Sequence, residues 1–523
     1  MAMSPRLLRP SASGFTPRSI TGLALWLDAS DASTLFQDAA ATTPATATSD
    51  PVGAWLDKSG NARHATQSTA AGSRPTRGGA IQNNRSSVAF AGSPAQFMGT
   101  VVPGADAGLF TVFAVARSQM PAGSSGVVLG ERGGNFSTAI HFQQTPNKAT
   151  VYIVGNTEQL FAAHGGVASI YSITKNSTSQ LIGHRNAAQE ITQALSSSSG
   201  YNLANLLRNI GASTSGASPL YGNVYELIAY GSALSASDRL RIERYLAAKW
   251  GITLAPQVSN ADAQDWVNRV YANGGTVSSS TAAAVSTFCD AIDAASIRNR
   301  FYRLNLFCGG TSGTTAGLAA CLVPLYRGPS LGGTQYGSGT DANVGPFVVG
   351  DYAENAGLTG NGSSKYLDTG FPMNTLPSTT SGHAAVYCRN RSSSSAFCGM
   401  VGVNLAAGNG FGIATDGTVY AEWGAFANIT NNQNGLLVSS RTSATSLVAY
   451  AAGTTIATNS TSTTPTASTL NAVVFASRNS TVSHTFFDAR TYGFYSIGTG
   501  LSAGDVSALT SAVNAFQSAL GRA

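Results

Sequence analysis

The sequence predicts a mainly β protein made of two antiparallel β-sandwich units of the jelly-roll type, joined by a small helical connector. Three observations lead to this fold class. A strand–turn–helix phrase occurs twice, at residues 224–251 and 491–522. Many short apolar or alternating stretches are separated by turn residues, and the middle of the chain has helical periodicity. Because the phrase closes two halves of similar size, we expect the halves to be duplicates.

Each copy of the repeated phrase carries a helix start signal. Ser235 and Ser502 occupy the expected N-cap positions, and Asp238 and Asp505 follow three residues later, as in a capping box. The preceding strand is apolar or alternating in both copies, which predicts that it packs on a core.

We divide the chain into four segments. They are a basic N-terminal docking arm (1–20), a first sandwich (21–255), a helical connector (256–345) and a second, shorter sandwich (346–523). In the connector, residues 261–272 and 280–295 have the apolar spacing of helices, with Gly274 and Gly275 between them.

Short strands are predicted throughout both sandwiches. Those of the first unit are expected around residues 20–28, 52–57, 87–92, 110–116, 127–129, 138–142, 150–154, 169–173 and 180–183. The second unit repeats this plan: residues 360–368 take the role of 88–98, 384–388 that of 113–116, and 398–402 with 411–414 that of 127–130 with 138–141.

The composition indicates a surface that is poor in ions. Charged residues make up 10% of the chain, against roughly 25% in an average soluble protein. No apolar run approaches the roughly 20 residues of a membrane span. Hydroxyl- and amide-rich surfaces of this kind are typical of extracellular β-proteins.

Three of the six net positive charges lie in the N-terminal arm, at Arg6, Arg9 and Arg18. The arm precedes the first acidic residue, Asp28. Two interpretations stay open: the arginines dock the protein on a partner, or the segment is a loose, solvated terminus. No dense basic patch of the nucleic-acid-binding kind is present.

Three segments carry a resemblance to a known class of module. They are Leu25-Trp26-Leu27-Asp28-Ala29, Trp55-Leu56-Asp57-Lys58-Ser59-Gly60-Asn61 and the closing Leu234-Ser-Ala-Ser-Asp…Tyr245-Leu-Ala-Ala-Lys-Trp250-Gly. Together they resemble laminin-G/concanavalin A-like lectin modules, in particular those of phage and bacterial surface proteins. The resemblance covers about residues 20–252 and implies a lectin-like sandwich.

Catalytic carboxylates are not evident in the sequence. Concanavalin A-like hydrolases supply theirs as Glu-x-Asp-x-x-Glu on one strand, and no Glu-x-Asp occurs among the seven glutamates of this chain. Retaining hydrolysis needs two carboxyl groups about 5–5.5 Å apart. The closest two glutamates, Glu226 and Glu243, are 17 residues apart, so we do not expect an enzyme.

Asp28, Asp31 and Asp57 are the candidate calcium ligands, because calcium takes carboxylate and carbonyl oxygens from turns. The favoured alternative is that they are Asx-turn residues that close strands. No cofactor is otherwise expected, and the six histidines are scattered.

The five cysteines match no zinc-binding pattern. Buried free thiols are the favoured interpretation, and a Cys388–Cys398 bridge is the alternative.

Aromatic residues do not single out a ligand site. Trp26, Trp55 and Trp250 fall within the apolar pattern and predict core packing, whereas Tyr336 and Tyr352 are expected in loops. The ligand-binding residues are therefore left unassigned.

The function that we expect from these features is a structural protein on the surface of a bacteriophage particle, as a head decoration, fibre or tail-associated adhesion subunit. It would contact capsid or tail proteins, form a homo-oligomer such as a trimer and touch host glycan, without nucleic acid or membrane insertion. The opening residues lack the apolar core of a signal peptide, which favours synthesis in the host cytoplasm and release by lysis. The alternatives are a bacterial carbohydrate-binding surface protein and, third, a polysaccharide depolymerase.

Overall fold

The computed structural model describes residues 15–69, 71–100, 108–121, 124–131, 138–143, 148–153, 159–163, 166–177, 180–195, 203–213, 216–389, 398–403, 411–415, 419–423, 426–429, 434–466, 468–478, 480 and 484–522. The chain forms two compact units, residues 1–255 and 256–523. Each is described below by itself.

The first unit contains two helices, α1 (Leu203–Leu206) and α2 (Ala236–Trp250), among its described residues. Its strands are β1 (Leu23–Asp28), β2 (Leu35–Phe36), β3 (Ala54–Trp55), β4 (Ala65–Thr66), β5 (Thr76–Gln82), β6 (Arg85–Ala91), β7 (Met98–Thr100), β8 (Phe110–Ser118), β9 (Ser125–Glu131), β10 (Thr138–Gln143), β11 (Lys148–Ile153), β12 (Gln159–Ala163), β13 (Ser169–Ser177), β14 (Gln180–Arg185), β15 (Ala188–Ala194), β16 (Asn209–Ile210) and β17 (Tyr221–Tyr230).

The second unit contains four helices in the described part, α3 (Ala261–Ala272), α4 (Ser279–Ala294), α5 (Thr315–Cys321) and α6 (Ala503–Ala519). Its strands are β18 (Phe301–Asn305), β19 (Ala342–Val344), β20 (Tyr352–Ala353), β21 (Gly357–Thr359), β22 (Tyr366–Pro372), β23 (Gly382–Arg389), β24 (Cys398–Val403), β25 (Phe411–Thr415), β26 (Val419–Trp423), β27 (Phe426–Ile429), β28 (Gly435–Ser443), β29 (Ser446–Ala451), β30 (Thr454–Asn459), β31 (Asn471–Val474), β32 (Ser477–Arg478), β33 (His484–Thr485) and β34 (Thr491–Gly498).

Two sheets make up the first unit. One has the order β15-β14-β13-β8-β17-β6-β5, with β1 also paired to β17, and the other has the order β12-β11-β10-β9-β16-β7-β4-β3-β2. Side chains from both sheets form one buried apolar cluster between them. A second cluster lies on the outer face of the first sheet, where α2 packs. Alternation along β1 explains the split, because Leu25 and Leu27 belong to the inner cluster and Trp26 to the outer one.

The second unit repeats this topology. Its sheets run β20-β21-β34-β23-β28-β29-β30, with β18 paired to β34, and β19-β22-β31-β24-β25-β26-β27. Each strand of the first of these sheets has a counterpart at the same position in the first sheet of the first unit. For example, β18 corresponds to β1 and β34 corresponds to β17. The mainly β, antiparallel sandwich class predicted from the sequence is confirmed.

The segment expected to be a separate connector, residues 256–345, is instead part of the second sandwich. Its helices α3 and α4 form where the sequence predicts them. However, β18 pairs with β34 and β19 pairs with β22, so both sheets of the unit draw a strand from this segment. The expectation missed them because both strands are short, and β19 also lies in a Gly- and Ser-rich stretch.

Residues 15–20, the part of the expected arm (1–20) that the structure describes, pack on the first sandwich. Phe15 packs edge-to-face on Tyr245 of α2, with ring centroids 6.1 Å apart. The carbonyl of Pro17 accepts a hydrogen bond from the buried Tyr230 hydroxyl at 2.7 Å, and Ile20 is buried. Residues 15–20 therefore belong to the first sandwich.

The two closing helices start as the sequence predicts, with one difference. The Ser235 and Ser502 hydroxyls accept the backbone N–H groups of Asp238 and Asp505. Only Asp505 completes a reciprocal capping box. Asp238 instead pairs with Arg241 at 3.0 Å.

Polar groups inside the two units lie at different positions. In the second unit, Arg303 forms an ion pair with Asp341 at 2.6 Å, and both side chains are fully buried. The Tyr495 hydroxyl also donates to Asp341, at 2.8 Å. By strand register Arg303 corresponds to Leu25 of the first unit and Tyr495 corresponds to Leu227. Apolar positions of one unit are thus polar in the other.

Three of the five cysteines, Cys289, Cys308 and Cys321, are buried free thiols, as the sequence favours. Cys388 is also buried, whereas the Cys398 side chain lies outside the described residues. Within the described part of the chain, no helix combines the length and apolarity that a membrane crossing requires.

Candidate functional site

A β-bulge in β17 sets up the most unusual cluster of side chains in the first unit. The register of β17 against β8 shifts between Val224 and Glu226. Val224 and Leu227 face the inner core, whereas Tyr225 and Ile228 pack with α2. Because a bulge places two successive residues on one side, Glu226 also faces the helix, which simple alternation does not predict.

Four donors enclose the carboxylate of Glu226. Its Oε1 accepts hydrogen bonds from Trp26 Nε1 at 2.7 Å and from the Tyr245 hydroxyl at 3.0 Å. Its Oε2 accepts from Trp250 Nε1 at 2.7 Å and contacts Lys249 Nζ at 2.8 Å. The residue is 1% exposed, so protein groups have replaced its hydration shell.

Asp28 lies opposite Glu226 in the β1–β17 ladder. Its Oδ1 contacts Lys249 Nζ at 2.7 Å and accepts from the Ser30 hydroxyl at 2.6 Å, and its Oδ2 contacts Lys58 Nζ at 2.9 Å. Burial acts to raise the pKa of Asp28. The charge of Lys249 and the hydrogen bonds from Lys249, Ser30 and Lys58 outweigh burial, so the pKa of Asp28 is lowered. Burial raises the pKa of Glu226 despite the charge of Lys249.

The other two predicted calcium ligands do not converge with Asp28 on an empty centre. Asp31 contacts Lys58 Nζ at 2.7 Å, so Lys58 joins Asp28 and Asp31. The carboxylate of Asp57 accepts backbone N–H groups from Trp26 at 2.9 Å and Arg63 at 3.0 Å.

Ammonium and amide groups thus occupy positions where calcium would need free oxygens. Among the described residues, no three His, Cys, Asp or Glu side chains are grouped so as to hold a metal. Asp31 and Asp57 also bond their own turns, through Ser33 and Ser59, as the Asx-turn interpretation has it. The calcium assignment stays a prediction without support from this geometry.

The three predicted docking arginines are only partly visible. Arg6 and Arg9 lie outside the described residues. Arg18 donates from Nε to the Lys58 carbonyl at 2.8 Å, which ties it to the turn that carries Asp57. Its docking role stays a prediction.

The fold therefore brings together a pair of acids that the sequence does not reveal. Both Asp28 and Glu226 contact one Lys249 ammonium, so their nearest oxygens lie within the roughly 5–5.5 Å of a retaining pair. The pair is closed, however. Asp28 is 3% exposed and Glu226 is 1% exposed, and every carboxylate oxygen already has a protein donor.

A groove of about 730 Å³ lies on the outer side of this closed cluster, along α2. This volume falls within the roughly 300–1,000 Å³ of small-ligand sites. Its functional side chains are of two kinds, namely four cations and two aromatic rings: Arg85, Arg241, Arg244, Lys249, Phe15 and Tyr245.

The internal cluster fixes the aromatic wall of the groove. The Tyr245 hydroxyl is held by Glu226, so its ring cannot swing into solvent. The Phe15 ring packs edge-to-face on Tyr245 and its centroid lies 4.9 Å from the Arg241 guanidinium. A rigid aromatic wall of this kind suits stacking against an apolar ligand face.

Arg85, one of the cations of the groove, is held in place by a hydrogen bond to the C-terminal end of α2. Two side chains of the β5–β6 hairpin, Asn83 and Arg85, donate to the Lys249 carbonyl, each at 2.9 Å. Gln82 donates to the Trp250 carbonyl at 2.7 Å. The hairpin thus caps α2 and holds Arg85 beside the groove.

A smaller cavity of about 460 Å³ lies elsewhere in the first unit. The 42%-exposed Tyr221 contributes to its wall, with Gly92, Pro121 and Pro219. No cation lines it. It provides a useful reference site for the groove.

Sequence reasoning placed some aromatics correctly and missed the groove. Trp26, Trp55 and Trp250 are buried as predicted. Tyr352, expected to be free in a loop, is 1% exposed in β20, which corrects that expectation. The signal for the groove was present on α2, where Arg241, Arg244, Tyr245, Ala248 and Lys249 recur at helical spacing.

No protein-family model matches the chain, and no curated protein sequence matches it. Solved structures do match in part. They include a Trypanosoma rangeli sialidase in complex with sialic acid, at 13% identity and a TM-score of 0.29 over 44% of this chain and 33% of that one. The binding domain of Paraclostridial Mosquitocidal Protein 1 matches at 11% identity and a TM-score of 0.32, over 47% of this chain and 59% of that one.

A third match is domain 4 of AbnA, an extracellular GH43 arabinanase from Geobacillus stearothermophilus, in complex with arabinotriose. It has 13% identity and a TM-score of 0.29, over 42% of this chain and 98% of that one. This chain therefore spans about a third of the sialidase. At such scores the matches assign no role to any residue here.

Proposed function

We propose that this protein is a non-catalytic glycan-binding protein that uses the groove along α2 of its first sandwich. The observation that carries the proposal is the fixed aromatic wall of Phe15 and Tyr245 in a cavity of about 730 Å³. Rigid rings beside polar groups are a common means of binding sugars, because the ring faces pack on C–H surfaces while the polar groups bind hydroxyls.

The closed acid pair supports binding without turnover. A hydrolase needs one carboxyl group that reaches the glycosidic oxygen and a second that reaches the anomeric carbon or a water molecule. Asp28 and Glu226 are buried and bonded to lysines and indoles, so neither carboxylate is available to substrate.

A glycan array probed with the full-length chain tests the binding function. We expect binding that Phe15→Ala weakens at least tenfold, since the change removes one ring of the wall. Tyr221→Ala, in the cavity without cations, is the matched control and should leave binding unchanged. Retained binding in Phe15→Ala would contradict the assignment to this groove.

The setting that we propose is the surface of a bacteriophage particle. It is supported by the lectin-like sequence resemblance and by the ion-poor composition, in which only 10% of residues are charged. Labelling purified virions with an antibody to this chain tests it, and unlabelled virions would exclude it. Light scattering of the purified protein tests the expected homo-oligomer.

A further inference from the structure

The charge of the groove narrows the class of glycan, an inference that rests on the proposed glycan-binding function. We propose that the groove along α2 binds acidic glycans, in which a sugar carboxylate is held by Arg85 and Arg244 while the sugar ring lies against Phe15 and Tyr245.

Not all four cations of the groove are equally available. The charge of Lys249 is neutralised by its contacts with Asp28 and Glu226. Arg241 is paired with Asp238 at 3.0 Å. Their charge is largely satisfied by the protein itself.

Arg85 and Arg244 differ from them. Both are exposed, and neither forms an ion pair with an acidic residue in the described part of the chain. Arg85 donates from Nε to the Lys249 carbonyl, which leaves its two terminal nitrogens available to a ligand. A planar guanidinium pairs with a carboxylate through two parallel hydrogen bonds, so these groups match a uronic or sialic acid better than a neutral sugar.

The position of the rings agrees with this assignment. The Tyr245 hydroxyl points inward to Glu226, so the ring contributes an apolar surface and no competing acceptor. Arg241 lies 4.9 Å from the centroid of the Phe15 ring and helps to hold the ring in place. An anion with an apolar face complements both walls.

The second sandwich provides an internal comparison. Counting from the N-cap serines, Lys249 of α2 corresponds to Phe516 of α6. There the rings of Phe288 on α4 and Phe516 pack 6.0 Å apart, so a second helix lies along α6. Within the described residues of the first unit, no helix covers α2 in this way, and its groove is lined by cations instead.

The sequence of residues 1–14 argues against this segment as the occupant. It contains two arginines, Arg6 and Arg9, and no acidic residue. A positive segment is a poor partner for a positive groove, whereas an anionic polymer is attracted to it.

Calorimetry on the full-length chain tests the proposal, with three carboxylated probes: oligogalacturonate, hyaluronate oligosaccharide and oligosialic acid. Each is compared with its own methyl ester, which keeps the sugar rings and removes the charge. We expect at least one acid to bind and its ester to bind at least tenfold more weakly. Affinity for the acid should fall as salt is raised.

Two variants test whether the acid binds in the groove and not at another part of the surface. Arg85→Gln/Arg244→Gln should weaken binding of the acid at least tenfold and bring it close to that of the ester. Arg208→Gln, at an exposed arginine next to β16 in the other sheet, is the matched control and should bind as wild type. Equal affinity for acid and ester, or an unaffected double variant, would overturn the proposal.

The result also distinguishes this inference from the function on which it rests. If neutral glycans bind on the array while all three acids fail, the acidic specificity is wrong and glycan binding stands. If no glycan of either kind binds, both proposals fail.

Discussion

Asp28 and Glu226 are cross-strand partners on β1 and β17, and a single ammonium group, Lys249 Nζ, contacts both carboxylates at 2.7 and 2.8 Å. Like charges directly opposite each other destabilise a sheet, so the lysine offsets a repulsion that the register creates. Trp26, Asp28, Lys249 and Trp250, which all belong to the lectin-like sequence segments, are thereby explained as parts of one buried network.

The first prediction concerns Glu226. Glu226→Gln should lower the free energy of unfolding of the first unit by about 2–4 kcal/mol, because a buried amide N–H₂ would face an indole N–H or the Lys249 ammonium. Urea unfolding followed by tryptophan fluorescence measures the change.

Glu243→Gln is the matched control for that experiment. Glu243 is also buried, but each of its oxygens accepts from one donor, the Ser172 hydroxyl on one and Arg239 on the other. An amide there can donate to the Ser172 hydroxyl, which can rotate to accept, and can keep its oxygen on Arg239. Only the charge of the pair is then lost, so we expect a loss of about 1–2 kcal/mol, smaller than at Glu226. A larger loss at Glu243 than at Glu226 would contradict the role of the indole cage.

A second prediction compares the two lysines of the network. Lys249→Met should destabilise the first unit by about 3–5 kcal/mol, because it leaves Glu226 buried without a cation. Lys58→Met should cost less, since the Lys58 side chain is 24% exposed and Asp31, one of its two partners, is 33% exposed. The idea fails if thermal or urea unfolding gives equal losses.

The third prediction uses a glycine of the second unit. A Cβ at Gly382 would lie 1.8 Å from Trp423 Cζ2, and Trp423 is fully buried. Gly382→Ala should therefore lower the free energy of unfolding by about 2 kcal/mol or more. At Gly350 a Cβ meets nothing within 4 Å, so Gly350→Ala should change stability by less than about 1 kcal/mol, and a comparable loss there would refute the steric explanation.

The fourth prediction concerns pH. Burial lowers the pKa of His383 from 6.5 to about 4, despite the hydrogen bond to the Thr499 carbonyl. The unfolded state then binds a proton near pH 6.5 while the folded state does not. Stability from this group is complete above pH 6.5 and is lost as the pH falls to about 4, by about 3 kcal/mol.

The measurement for His383 is the pH dependence of the unfolding free energy between pH 6.5 and 4 in wild type and His383→Gln. The variant is less stable at neutral pH, because His383 bonds Thr499 and Ser496 through both ring nitrogens. Its slope with pH should nevertheless be shallower than that of wild type. Parallel slopes would rule out the histidine as the source.

The fifth prediction separates the arm from the fold. We compare the stability of the first unit after deletion of residues 1–14, which keeps Phe15, Pro17 and Ile20, with its stability after deletion of residues 1–20. Deletion of residues 1–20 should lower it by about 2 kcal/mol or more, because Tyr230 loses its acceptor on Pro17 and Ile20 is removed from the core. If Arg6 and Arg9 dock the protein, the shorter deletion should also fail to incorporate into particles.

The fold followed from the sequence because its signals are local. Alternation along β1, the N-cap serines and the spacing of apolar residues in α3 each act over a few residues. The candidate site did not follow, since it depends on a bulge beside Glu226 and on a hairpin that carries Arg85 to the end of α2. Neither the bulge nor the hairpin contact leaves a local pattern in the sequence, and Phe15 lies more than 200 residues before the α2 residues that line the groove with it.

Buried polar residues lie at different positions in the two sandwiches, and this difference restricts the exchange of sequence between the two copies of the repeated phrase. Glu226 corresponds by register to Phe494, and Trp26 corresponds to Leu304. Crossing-over within the repeated phrase would join a strand from one copy to a partner from the other, burying Glu226 against Leu304 or leaving the buried Arg303–Asp341 pair without the Tyr495 hydroxyl. Such hybrids would lose buried polar contacts that each sandwich has now, so we expect exchange of sequence between the two copies to be destabilising.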